Sequence, residues 1–145
     1  MKKINLDNYP YLIELAARFV LKVICTADAR LKAYWWKIGL GANCLFEGRP
    51  IFHRFPQSKI IIGNDCKFNS SIISNLIGLN HPCIISTLKE NAIIQIGRAC
   101  GFSATSIGCE KKIIIGDNVR LGANTIITDT DWHSDDYRVG LPEEV

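Results

Sequence analysis

The stretch "TDTDWHSDD", residues 128–136, gathers residue types that acid–base chemistry needs. The imidazole of His133 has an ordinary pKa near neutrality, so in its neutral form it can take a proton from a hydroxyl. A positioned base of this kind typically accelerates a reaction by about 10²–10⁴-fold. A carboxylate beside it would fix the tautomer and stabilise the imidazolium as it forms. Asp131 and Asp129 are the local candidates, and Asp131 is favoured. Trp132 is an aromatic that either stacks on a ligand ring or anchors the loop against a neighbouring subunit. Backbone N–H groups at adjoining corners are the expected partners of a developing oxyanion.

What precedes this run is regular. Ile115, Leu121 and Ile127 follow one another six apart, with compact Val119 and Thr125 four residues after the first two. The same format starts at Ile62-Gly63, with Cys66 in the compact place, and at Ile96-Gly97, with Cys100 there. Phe102 and Ser106 continue it, and an additional residue around Gly108 shifts the register before Ile115. A six-residue unit with an inward aliphatic, a turn-permitting Gly or Asn and a second small inward residue makes one short strand and one corner. Three units close a triangular coil of about eighteen residues, and stacked coils pair strand over strand at roughly 4.8 Å. Gly after each aliphatic suits positive φ or tight packing. Between residues 69 and 91 the strand character persists while the register is lost. A loop admitted after Ile127 keeps the core intact and projects outward, where function commonly resides.

Composition narrows the partners. At 145 residues, 48% hydrophobic and 21% charged, the chain holds one domain with one core. Its +3 charge is scattered, without a basic cluster carrying aromatics, which argues against nucleic acid. Six cysteines form no CxxC pair, and the start "MKKINLDNYP" lacks a signal peptide's apolar core, so the cysteines read as reduced cytosolic fillers. Cys66, Cys83 and Cys100, seventeen apart, read as members of one stack.

Residues 8–25 predict a helix with Asn8 as N-cap and Pro10 in its first turn, and a Glu14–Arg18 pair on its surface. A second helical stretch, "ADARLKAYWWKIG", ends near Gly39. Glu14, Arg18 and Lys22 argue against a span. The apolar face either caps the core or meets another subunit, or else, with Trp35 and Trp36, makes peripheral contact with a membrane. The organisation expected is a helical segment 1–40, a β-helix 41–136 with its loop at 128–136, and a tail 137–145.

The run "IGRACGFSATSIGCEKKIIIGDNVRLGANTIITDTDWHSDD" resembles the hexapeptide-repeat acyltransferases, in particular the O-acetyltransferases of sugars and polysaccharides, over residues 59–136. The resemblance implies an all-β fold, a left-handed parallel β-helix preceded by N-terminal α-helices. It also implies a homotrimer with active sites at subunit boundaries, acetyl-CoA as donor, a carbohydrate acceptor and no metal. Its catalytic histidine falls on His133, in a D-x-D-aromatic-H loop. Sugar acetyltransferases of the maltose and galactoside type carry an asparagine one coil earlier. Here "GFSATS" has Thr105 in that place and Ser103 nearby, which with Trp132 and Asp129 complete the expected substrate contacts. Family members continue with further coils after the loop, whereas this chain ends nine residues past Asp136, so a truncated or non-catalytic trimeric scaffold is the alternative expectation. Carbonic anhydrases built on the same helix need three converging histidines. His53, His81 and His133, 28 and 52 residues apart, match that poorly.

Overall fold

The structure is a computed structural model that describes residues 6–132. After a 3₁₀ turn at Leu6–Asn8 comes one helix, α1 (Tyr9–Trp35), and then four stacked coils of three short strands. The first coil is β1 (Gly39–Leu40), β2 (Leu45–Glu47) and β3 (Ile51–His53); the second is β4 (Lys59–Ile62), β5 (Lys67–Asn69) and β6 (Ile84–Thr87). The third is β7 (Ile93–Ile96), β8 (Gly101–Ser103) and β9 (Ser106–Cys109); the fourth is β10 (Lys112–Ile115), β11 (Arg120–Ala123) and β12 (Ile126–Thr128). Corresponding strands pair in parallel, giving three four-stranded faces: β1-β4-β7-β10, β2-β5-β8-β11 and β3-β6-β9-β12. This is the architecture of a parallel β-helix.

Like residues pile on like inside it. Phe46, Phe68 and Phe102 occupy one register position on the second face and stack at centroid separations of 4.7 and 4.8 Å. Each stacked pair is worth about 0.5–1.5 kcal/mol beyond burial. Ile62, Ile96 and Ile115 line the first face. Phe52, Ile85, Ile107 and Ile127 line the third.

The corner after the first face shows what its glycines do. A Cβ on Gly41 would lie 2.5 Å from the Gly63 carbonyl carbon, and one on Gly63 would lie 2.6 Å from that of Gly97. Close coil-to-coil approach therefore excludes a side chain there. The left-handed position falls two residues later and belongs to Asn43, Asp65, Ala99 and Asn118, with φ of 56°, 60°, 55° and 59°. Asn and Asp tolerate that region better than other side chains, and here they also bond from coil to coil: Asn43 Nδ2 donates to Asp65 Oδ1 at 3.1 Å.

Cys44, Cys66 and Cys100 follow at the same corner, each thiol donating to a glycine carbonyl of the next coil: Gly63 at 3.2 Å, Gly97 at 3.3 Å and Gly116 at 3.1 Å. All six cysteines are unpaired and buried. Burial pushes up the pKa of Cys83 and Cys100. The even spacing of Cys83 is nevertheless misleading. It sits at the next corner, where its carbonyl receives Ile51 N–H and Thr105's receives Ile84 N–H, so its column partner is Thr105.

Thr105, 1% exposed, takes the compact interior place expected of Ser106. The Ala104–Thr105 corner, where Ala104 has φ 45°, is one residue short, so Ile107 follows Phe102 by five; the additional residues lie just past Gly108, where Ile115 follows Ile107 by eight. The irregular region is an excursion from the corner between β5 and β6. It carries a 3₁₀ turn, Ile72–Ser74, before the chain rejoins the wall at Ile84.

The two expected helices are one. Nothing between Cys25 and Asp28 breaks the helix, and the Asp28–Lys32 ion pair at 2.9 Å ties successive turns together across the expected junction. The wall begins at β1, just before the expected boundary at residue 41. Asn8 is the N-cap residue, without a side-chain cap bond, and Pro10 lies in the first turn. Small residues Cys25, Ala29 and Ala33 let the helix lie close on the first coil, and Thr26 Oγ1 accepts the Phe46 N–H at 3.0 Å. Arg18 and Lys22 both reach Glu47, at 3.0 and 2.6 Å. Burial raises the Glu47 pKa, but Lys22 and Arg18 outweigh it and hold the carboxyl below its ordinary value.

Candidate active-site loop

Ile127 turns into the core as the last of its column, and the chain then leaves the wall. Asp129 anchors the departure. Its Oδ1 accepts the Glu110 N–H at 2.6 Å, and its Oδ2 accepts those of Lys111 at 2.8 Å and Lys112 at 2.7 Å. One carboxylate thus satisfies the turn between β9 and β10, which joins the third coil to the fourth. These three amides are already engaged and are not free donors for an oxyanion. Asp129 also receives the Cys109 thiol at 3.6 Å. Burial first, and the Asp129 charge second, push that thiol up to about 11.

Beyond Asp129 the loop braces itself. Thr128 Oγ1 donates to the Thr130 carbonyl at 3.0 Å and accepts the Thr130 N–H at 3.2 Å, while Thr130 Oγ1 accepts the Trp132 N–H at 3.3 Å. Trp132 has φ 65° and lays its ring over Gly108 of β9, staying 59% exposed. Asp131 lies exposed between these anchors. His133 is the next residue in the sequence and lies outside the described residues, as do 134–136 and the tail.

Ser103 ends β8 and Thr105 precedes β9, so both lie beyond the end of β9 away from this loop, which rests on Gly108. Ser103 Oγ receives Asn69 Nδ2 at 3.1 Å and Asn75 Nδ2 at 3.4 Å. Thr105 points into the coil, and its buried hydroxyl has no hydrogen-bond partner among the described residues. Within one chain, then, Trp132, Asp131 and Asp129 come together, Ser103 is at a different corner, and Thr105 is interior.

A polar cleft of about 260 Å³ on the second face includes Ser103 with Lys67, Asn69 and Arg120. Sequence reading did not single out Lys67 and Arg120, although each immediately precedes an inward residue, Phe68 or Leu121, and so must point outward. The remaining described histidines have local roles. His53 packs on Trp36 with centroids 5.2 Å apart, and His81 Nδ1 lies 2.8 Å from the Pro82 carbonyl. Among the described residues no three His, Cys, Asp or Glu side chains gather as metal ligands would. No family model, curated protein or solved structure matches the chain.

Proposed function

We propose that this chain is the subunit of an O-acetyltransferase that moves an acetyl group from acetyl-CoA to a hydroxyl of a sugar or polysaccharide precursor. His133 is the general base and Asp131 its orienting carboxylate, on a left-handed parallel β-helix that works as a cytoplasmic homotrimer. The imidazole takes the hydroxyl proton as the oxygen attacks the thioester carbonyl. The tetrahedral adduct then expels the CoA thiolate, and the imidazolium returns the proton to it.

The observation that carries this reading is the doubly anchored loop. Asp129 ties its start to three amides of the turn between β9 and β10, and Trp132, one residue before His133 in the sequence, rests on Gly108. A wall that invests this much in an irregular segment supports a positioned group at its end. Lys67, Asn69, Ser103 and Arg120 on the second face supply donors of the kind a sugar or phosphate takes. The loop and this cleft stand on different sides of one coil, so the site takes the loop from one protomer and the cleft from its neighbour.

Thiol release from acetyl-CoA with a panel of sugar acceptors tests the reading. His133→Ala is expected to lower turnover at least ~100-fold with the trimer intact. Equal rates for the two proteins remove the histidine assignment. Absence of turnover and of coenzyme binding in both would favour a non-catalytic scaffold.

A further inference from the structure

Helix α1 is amphipathic in the opposite sense to a helix on a water-facing surface. Arg18, Lys22, Cys25, Ala29 and Ala33 share the face turned to the coils, where the cations meet Glu47 and the small residues are buried. Ile13, Val20, Ile24 and Leu31 fall on the opposite side at spacings of seven, four and seven, and are 67%, 55%, 51% and 71% exposed. The coil-capping role predicted for the apolar face belongs instead to the small residues. The helix runs about 40 Å, and no helix among the described residues is long and apolar enough to cross a membrane.

A second apolar segment continues this surface. The excursion before β6 exposes Ile72, Ile73, Leu76 and Ile77, the last two at 89% and 74%. It lies beside the helix: Leu21 and Ile73 line one groove, and Ile24 and Ile72 line another.

Two observations say what covers this face. The first is charge. Among the described residues, 6–54 carry seven Lys and Arg against four Asp and Glu, while 55–132 carry seven against six, so the net positive charge is larger at the helix end of the molecule. Among the acids at that end, Glu47 is taken by Arg18 and Lys22, and Asp28 by Lys32 and Arg49. Arg30 and Lys37 remain exposed. The second is the distribution of aromatics. Tyr9 and Tyr11 mark one end of the helix and Tyr34 and Trp35 the other, all exposed, and such side chains favour the headgroup level of a bilayer. An apolar strip flanked by the exposed Arg30 and Lys37, with amphipathic aromatics at its ends, matches an anionic lipid surface.

We propose that the outward face of α1 and the Ile72–Ile77 segment together seat this protein in the interfacial layer of an anionic membrane, helix parallel to the bilayer plane and the coils standing off it. The proposal is independent of the acyl-transfer reading.

Vesicle flotation of the full chain tests it, with phosphatidylcholine vesicles and with vesicles containing about one-third phosphatidylglycerol. Binding to the anionic vesicles is expected to exceed binding to the neutral ones at least tenfold at low salt, and to fall at high salt. Val20→Ser with Leu31→Ser, and separately Leu76→Ser with Ile77→Ser, are each expected to reduce binding at least fivefold while circular dichroism is unchanged. Four exposed side chains are altered, so folding survives in at least one pair. Absence of flotation, or flotation indifferent to both pairs, would overturn the proposal. So would a soluble oligomer that the same substitutions dissociate while vesicles bind neither form, because the occupant would then be a second copy.

Discussion

The indole of Trp132 lies so close over Gly108 that a Cβ on the glycine would sit 2.3 Å from the Trp132 Cζ2. The glycine has no left-handed φ, so alanine costs its backbone nothing, and the whole effect of Gly108→Ala falls on the indole. The substitution is expected to lower acetyl transfer at least ~10-fold with little change in the urea midpoint. The loss should largely vanish when compared in a Trp132→Ala background, as coupling between contacting residues requires. Equal losses in both backgrounds would show that the contact does not position the loop.

Asp129 makes a graded prediction. Alanine removes the acceptor for all three amides, whereas asparagine keeps one carbonyl oxygen. Charge-assisted hydrogen bonds contribute about 1.5–3 kcal/mol when shielded, and these are partly solvated. Asp129→Ala is expected to cost about 1–3 kcal/mol in urea denaturation, and Asp129→Asn about half as much. Turnover should fall in the same order.

Ala99 is the odd member of the left-handed column that Asn43, Asp65 and Asn118 complete. A non-glycine residue in that region costs roughly 1–2 kcal/mol unless its side chain hydrogen-bonds locally. Ala99→Asn extends the ladder begun by Asn43 and Asp65 and is expected to raise stability by about 0.5–1 kcal/mol. Thermal unfolding of the two proteins side by side decides it, and a lower midpoint for the variant would refute it.

Alkaline pH should unfold this protein partly through Cys109. In the unfolded chain a thiol ionises near 8.5. In the fold, burial and Asp129 hold it to about 11. The folded state keeps a proton that the unfolded state releases, so this contribution is complete below about pH 8.5 and is lost as pH climbs toward 11. Under reducing conditions, Cys109→Ala is expected to flatten the fall of the unfolding midpoint between these values. An unchanged slope would count against it.

Residue spacing made the wall legible where a column runs through the regular repeat: Ile115, Leu121 and Ile127 all face the core, as do Cys66 and Cys100. It failed where spacing and stacking part company. Cys83 has an even sequence interval but joins a different corner, because the excursion before β6 lengthens its coil. Glycine's role could not be chosen from the sequence, because tight approach and positive φ call for the same residue; the fold assigns the first to Gly63 and the second to Asp65. Arg18 was paired locally with Glu14, and its partner Glu47 lies 29 residues away, beyond any helix-spacing rule. At the candidate site, the departure after Ile127 was visible as a broken rhythm. The capping work of Asp129 was not, because its three partners sit in the turn that enters its coil, 17 to 19 residues earlier.

The excursion that disturbed the register also has a mechanical consequence. At one end Arg18 of the cap helix donates to the Ser74 carbonyl, and in the middle Asn75 reaches Ser103 of the third coil. At the other end Asn124 of the fourth coil donates to the Gly78 carbonyl and accepts the Asn80 N–H. The excursion is therefore a tie rod laid across the rungs. Its polar fastenings hold the helix end of the molecule in fixed alignment with the coil that bears the loop, so that a pull on one is borne by the other.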